Sequence, residues 1–319
     1  MMQDNEYSTV FSIKQANWCI FFVLLGYTVV DFAQALLQLF FGIKPDMDIS
    51  IYARMACMLP VIIYALSSRA KVKSLRFRRT APANIVLSII LAFFVYLFSS
   101  IFVNAIASWI VSAGGTIPNN ELLDYITKGS MLVALLFLAV FAPFTEEILL
   151  RGVFQGAYMR RVGFLAVILT GVVFGLMHAD LLSTINGVIA GIFLCYVYFK
   201  TRSLWCTIAF HATFNTLGYF MVPDNYVINL PWTLNFLPKE TMDGSNPAYI
   251  VYTLGILVIS VLMVVVFTNL IRRRNSETSA PVADPTLHQK YEMVPFILAC
   301  ILLSFRLLLG TLPYLNILK

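Results

Sequence analysis

Apolar residues run along this chain in stretches too long for a soluble core. A helix crossing a bilayer needs roughly 20 mainly apolar residues, flanked by charged or turn-forming ones. Nine segments fit or approach that description: 18–43, 51–67, 83–113, 131–151, 163–177, 181–199, 204–222, 249–271 and 293–315. The pattern predicts an all-α fold, a polytopic bundle of about eight or nine transmembrane helices. Between the last two spans, 275–289 is polar, carries two prolines and has no apolar period, so it reads as a connector in which His288 is solvated. Residues 1–16 are polar, and the apolar run after them is long and lacks a small-residue cleavage site, so the first span is expected to stay in the chain. Neither an internal repeat of the inverted-repeat transporter kind nor a low-complexity tract is visible. Three parts are expected: N-terminal spans (1–130), a central core holding the chemistry (131–222), and C-terminal spans with the connector (223–319).

Composition agrees with this pattern. The 319 residues are 60% hydrophobic and only 12% charged, and the mean hydropathy is +0.82, which leaves too little polar surface for a soluble domain. The net charge of +6 sits in alternate connections. Arg69, Lys71, Lys73, Arg76, Arg78 and Arg79 follow the second span, Arg160 and Arg161 the fourth, Lys200 and Arg202 the sixth, and Arg272, Arg273 and Arg274 the eighth. Connections 114–129 and 223–248 have few Lys or Arg. Basic loops mark the cytoplasmic side, so a multi-pass cell-membrane protein with a cytoplasmic N-terminus is expected. No basic patch is interleaved with aromatics, so the excess does not suggest a nucleic-acid partner; the expected partners are the lipid bilayer and a peptide or lipidated peptide. Cys19, Cys57, Cys195, Cys206 and Cys300 fall singly in different spans and read as packing residues rather than a redox pair or metal knuckle.

Ionisable groups inside a span cost about 2.5–3.5 kcal/mol each, so each needs a partner or a purpose. The fourth span has Glu146, Glu147 and Arg151 together, just after Pro143. Glu147 and Arg151 are one helical turn apart with the acid on the N-terminal side, the favourable order for an ion pair, and Glu146 is left about 100° around the helix. On this segment alone, a structural ion cluster is as good a reading as a reactive carboxylate. The histidines add to it. Of three in the chain, His178 and His211 lie at or inside apolar spans, and Phe174 with His178, like His211 with Asn215, shares one side of a helix. A single such histidine would be read as a packed one; two beside a Glu-Glu pair suggest a site.

In this order and on separate spans, Glu146-Glu147-x-x-x-Arg151, Phe174-x-x-x-His178 and His211-x-x-x-Asn215 resemble the three motifs of the CAAX prenyl endopeptidase and bacteriocin-processing family, the type II CAAX protease group of intramembrane glutamic peptidases. Gly191 and the run Thr201-Arg202-Ser203-Leu204-Trp205 ahead of His211 are similar to the region of the third motif, and the resemblance extends over 136–219. It implies a peptidase without a cofactor. Glu146, helped by His178, would take a proton from the attacking water; His211 and Asn215 would donate to the oxyanion; Glu147 with Arg151 would orient them; and Phe174 would shape the substrate pocket or simply pack. A rival arrangement uses two His and two Glu to hold zinc, although the spacing does not resemble His-Glu-x-x-His. Two further classes use the same residues: a bacteriocin self-immunity protein acting by binding, and a proton-coupled transporter. Asp31, Arg54 and Arg306 also lie in or near spans, where Asp31 and Arg54 are expected to pair or to face a water-filled cavity. Asp180 is expected to cap the sixth span, and Gly171/Gly175 with Gly187/Gly191 to let helices approach closely.

Overall fold

The computed structural model describes residues 11–43, 47–118, 131–220, 247–276 and 291–315, without the side chains of 47–50 and 247–249. Much of the expected connections 114–129, 223–248 and 275–289, with His288, therefore lies outside the described residues. Among these, every regular element is helical: α1 Ile13–Phe41, α2 Met47–Leu66, α3 Arg69–Ser74, α4 Pro82–Ser112, α5 Met131–Val162, α6 Leu165–Leu176, α7 Leu181–Thr201, α8 Leu204–Phe220, α9 Pro247–Arg274 and α10 Val294–Thr311.

Local sequence sets many of these ends. Ser12 and Gln15 form a capping box at the start of α1, and Gly42 closes it in the left-handed conformation at φ 65°. Pro82 opens α4 at a position where a missing N–H costs nothing. Asp180 caps α7 by accepting from the Ser183 N–H at 3.0 Å, as expected.

Among the described residues, six helices are long and apolar enough to cross a membrane: α1, α4, α5, α7, α9 and α10 with its following turn. Their outward faces are apolar, as in Val251 (70% exposed) and Leu262 (58%) of α9, so lipid is the fitting solvent. The protein is a multi-pass membrane helical bundle. Segment 163–177, expected to span, instead forms the 12 residues of α6, about 18 Å of helix against a hydrocarbon core of about 30 Å.

At the centre lies α5, in which all residues from Ile148 to Gln155 are buried. It is wound more loosely than an α-helix in two places, Leu136–Phe141 and Ile148–Gln155. In the first, the Ala142 N–H donates to the carbonyl five residues back, on Phe137. The next N–H in that register would belong to residue 143, which is proline. The Leu138 carbonyl is thereby left without its helical donor.

Helices α6 and α7 interlock through glycine, as the small-residue spacing predicts. A methyl added at Gly175 would lie 2.6 Å from the Thr184 carbonyl oxygen, and one at Gly191 would lie 2.8 Å from that of Gly171. The early end of α6 leaves His178 beside Gly187, where an added methyl would meet its Nδ1 at 3.1 Å. That is six residues inside α7, about 9 Å below its N-terminal end.

The basic ends gather at one end of the bundle. Tyr158, near the end of α5, donates to Asn17 at the start of α1 at 2.9 Å, and Asn17 donates to the Glu292 carbonyl ahead of α10 at 2.8 Å. Arg161 pairs with the Glu292 carboxylate. Ser203, between α7 and α8, donates to the Arg78 carbonyl at 3.0 Å, and Asn84 of α4 donates to Asn275 after α9 at 3.2 Å. At the other end, Thr116 after α4 donates to the Tyr314 and Pro313 carbonyls. Here α10 clasps the turn that carries His178: Arg306 donates to the Met177 carbonyl at 3.3 Å, Gly310 packs against the Ala179 carbonyl, and the Tyr314 hydroxyl donates to Asp180 at 3.0 Å.

Candidate active site

Glu146 and Glu147 lie near the middle of α5, and the helix rotation between them gives them different surroundings. Glu147 is sealed at 0% exposure, whereas the side chain of Glu146 is 24% exposed. Arg151, also fully buried, lies 2.9 Å from Glu147 Oε1, the partner expected from the spacing. The Glu147 carboxylate meets a second partner from α8, since His211 Nδ1 is 2.8 Å from the same oxygen.

That contact fixes the histidine's chemistry. A carboxylate accepts, so Nδ1 carries a hydrogen, and Nε2 can donate only when the ring is charged. Nε2 in turn lies 3.8 Å from Glu146 Oε2.

The structure thus joins Glu146 to His211. His178, expected beside Glu146, has its Nδ1 3.0 Å from the Phe174 carbonyl. A carbonyl also accepts, so Nδ1 carries a hydrogen, and in the neutral form of the ring Nε2 is a lone-pair acceptor. Phe174, 3% exposed, holds the group together from α6. Its ring packs edge-on against His178 at 5.1 Å and His211 at 5.4 Å, and the Arg151 guanidinium carbon is 4.7 Å from its centre.

Asn215, one turn beyond His211, donates at 3.1 Å to the Leu138 carbonyl, the one that Pro143 leaves without its helical donor. One amide N–H is therefore engaged and the other is available. Glu146, Glu147, Arg151, Phe174, His178, His211 and Asn215 thus come from α5, α6, the turn after it and α8. The sequence reading missed the contact of His211 with both acids, the Leu138 carbonyl and a third member of the Asp31–Arg54 pair. Arg54 lies 2.6 Å from Asp31, as expected, and Arg306 approaches the other oxygen of that carboxylate at 3.1 Å. An unmatched cation in the last span was the available signal. Among the described residues, no three His, Cys, Asp or Glu side chains cluster closely enough to hold a metal ion.

Residues 128–217 match the family model described as Rce1-like, type II CAAX prenyl endopeptidase. A Bacillus subtilis (strain 168) protein named "Putative membrane peptidase YdiL" is 25% identical over 174 residues, which cover 54% of this chain and 70% of that protein. No solved structure matches. The three motifs, the helical membrane bundle that carries them and these two matches agree: residues 128–217 of this multi-pass membrane protein are similar to the Rce1-like type II CAAX prenyl endopeptidase family.

Proposed function

We propose that the protein is an intramembrane peptidase of the glutamic type, cutting a membrane-associated peptide, prenylated or of bacteriocin or pheromone type, with water activated by Glu146. The observation that carries this reading is the division of labour between the adjacent acids: Glu147 is buried and held by Arg151 and His211, while Glu146 is partly exposed and 3.8 Å from His211 Nε2.

In the reaction, a water between Glu146 and His178 gives a proton to the Glu146 carboxylate as its oxygen attacks the peptide carbonyl. His178 Nε2 accepts the water's second hydrogen and orients it. The carbonyl electron pair moves onto oxygen, where the Nε2–H of charged His211 and the second amide N–H of Asn215 stabilise it. Collapse of the intermediate breaks the C–N bond, and Glu146 returns its proton to the leaving amine. Glu147, held by Arg151, accepts from His211 Nδ1 and keeps the ring in place. General-base help of this kind is worth roughly 10²–10⁴ in rate and each oxyanion donor about 10²–10³. The basic end of the bundle is the cytoplasmic one in this reading, and the cell membrane is the location.

The test compares membrane peptides by mass spectrometry from cells carrying the wild type or Glu146→Gln, followed by cleavage of the identified peptide by purified protein with and without 1,10-phenanthroline. Loss of cleavage in Glu146→Gln and full activity with the chelator are expected. Stoichiometric zinc, lost with activity in His178→Ala and His211→Ala, would instead establish the metallopeptidase arrangement. Glu146-dependent proton flux in liposomes would establish the transporter.

A further inference from the structure

A second charged cluster borders the site. Asp31 of α1 meets Arg54 of α2 at 2.6 Å through one oxygen and Arg306 of α10 at 3.1 Å through the other. Two permanently charged guanidinium groups thus share one carboxylate, leaving, among the described residues, an excess positive charge between α1, α2 and α10. Such an excess is costly unless an anion or water offsets it. Arg306 is buried and committed elsewhere as well, through Met177. Arg54 is 44% exposed and, among the described residues, makes only the Asp31 contact through one of its nitrogens, so the rest of its donor fork is engaged by no described acid.

The cluster lies on the candidate site's own border. Met177 immediately precedes His178, and Tyr27, whose ring centre is 5.5 Å from the Arg306 guanidinium carbon, lies within range of the charges of Glu146, Arg54 and Arg306. Asp31 is ten residues from the end of α1 at Phe41, about 15 Å of helix, which favours a ligand that enters the bundle over a lipid headgroup at its rim.

We propose that Arg54, backed by Asp31 and Arg306, is a subsite that takes a carboxylate of the peptide substrate, either its C-terminus or an acidic side chain, beside the bond cut at Glu146. Arginine suits this ligand because its planar fork matches a carboxylate in two parallel hydrogen bonds. Asp31 keeps the fork oriented without neutralising both arginines. The inference rests on the peptidase reading and narrows its substrate class.

The test uses the full chain in nanodiscs and three versions of one peptide: a free C-terminus, an amidated C-terminus, and an amidated C-terminus with an Asp near the cleaved bond. Binding is measured separately from cleavage, in zwitterionic and in anionic lipid. The wild type is expected to bind a carboxylate-bearing version roughly tenfold or more tightly than the amide, and the version preferred tells terminus from side chain. Arg54→Gln removes the preference by raising KM with kcat retained, and Arg54→Lys restores part of it. Equal binding of all three versions by the wild type, or an equal loss for all three in Arg54→Gln, overturns the subsite. So does an Arg54 effect that follows anionic lipid content rather than the peptide. A wild type that shows the preference but cuts no version upholds the subsite and overturns the peptidase reading.

Discussion

Adjacent in sequence, Glu146 and Glu147 answer to different physics, and replacing the residues around them should separate stability from activity. Arg151→Ala leaves a sealed carboxylate with only His211 against it. A buried ion missing one partner typically costs about 3–5 kcal/mol, and a matching loss in thermal or denaturant stability is expected. Glu146→Gln removes a charge that is partly exposed and makes no close bond, so its stability should stay within about 0.5 kcal/mol of the wild type while turnover is lost. An Arg151→Ala protein that melts like the wild type would refute the pairing. Several residue-level contacts were legible in the chain, because helix periodicity fixes neighbours one turn apart: Glu147 with Arg151, and Asp180 with its own helix start. Asp31 with Arg54 followed from the need of buried charges for counter-charges. The contacts of His211 with both acids and of Arg306 with Asp31 were not legible. They depend on how distant helices rotate against one another, which a pattern along one helix does not contain.

At the scale of the element, the sequence marked where helices lie better than how they are wound. The apolar stretches became helices, yet the loose winding of α5 at Leu136–Phe141 and Ile148–Gln155 follows from Pro143 and from packing on neighbours that no single segment reveals. That winding predicts a coupling. Asn215→Ala leaves the part-buried Leu138 carbonyl without its donor, at a cost of about 0.5–1.5 kcal/mol. Pro143→Ala supplies an N–H that can serve the same carbonyl, so in that background Asn215→Ala should cost less; additive losses in a double-mutant cycle would rule out the link. The glycine contacts make a second prediction. In Gly175→Ala the new methyl would press on backbone, 2.5 Å from Val188 N and 2.6 Å from Thr184 O. The helices must part, costing about 1–3 kcal/mol or more. Gly255→Ala meets nothing within 4 Å and should be tolerated. Equal melting temperatures for the two variants would contradict the close approach of α6 and α7.

Across the whole molecule, alternating basic connections anticipated that helix ends would sort to two sides, and contacts such as Tyr158 with Asn17, and Ser203 with Arg78, join the basic ones. What the alternation did not reveal is that α6 stops short, because apolar composition alone does not distinguish a crossing helix from one that turns back within the bundle. The sorting is testable with single cysteines in a variant whose five native cysteines are replaced. Lys73→Cys should react with an impermeant maleimide only when the cytoplasmic side is opened, and Ser112→Cys in intact cells; the reverse pattern would invert the orientation. The clasp of α10 on the His178 turn carries a further consequence for protein engineering. Arg306, Gly310 and Tyr314 all lie beyond the family-matched segment 128–217. That segment is therefore not a portable cassette: transplanted between the outer helices of a relative, it would bring every motif residue yet leave the turn around His178, at Met177, Ala179 and Asp180, without these contacts. A working chimera would have to import those three positions with it.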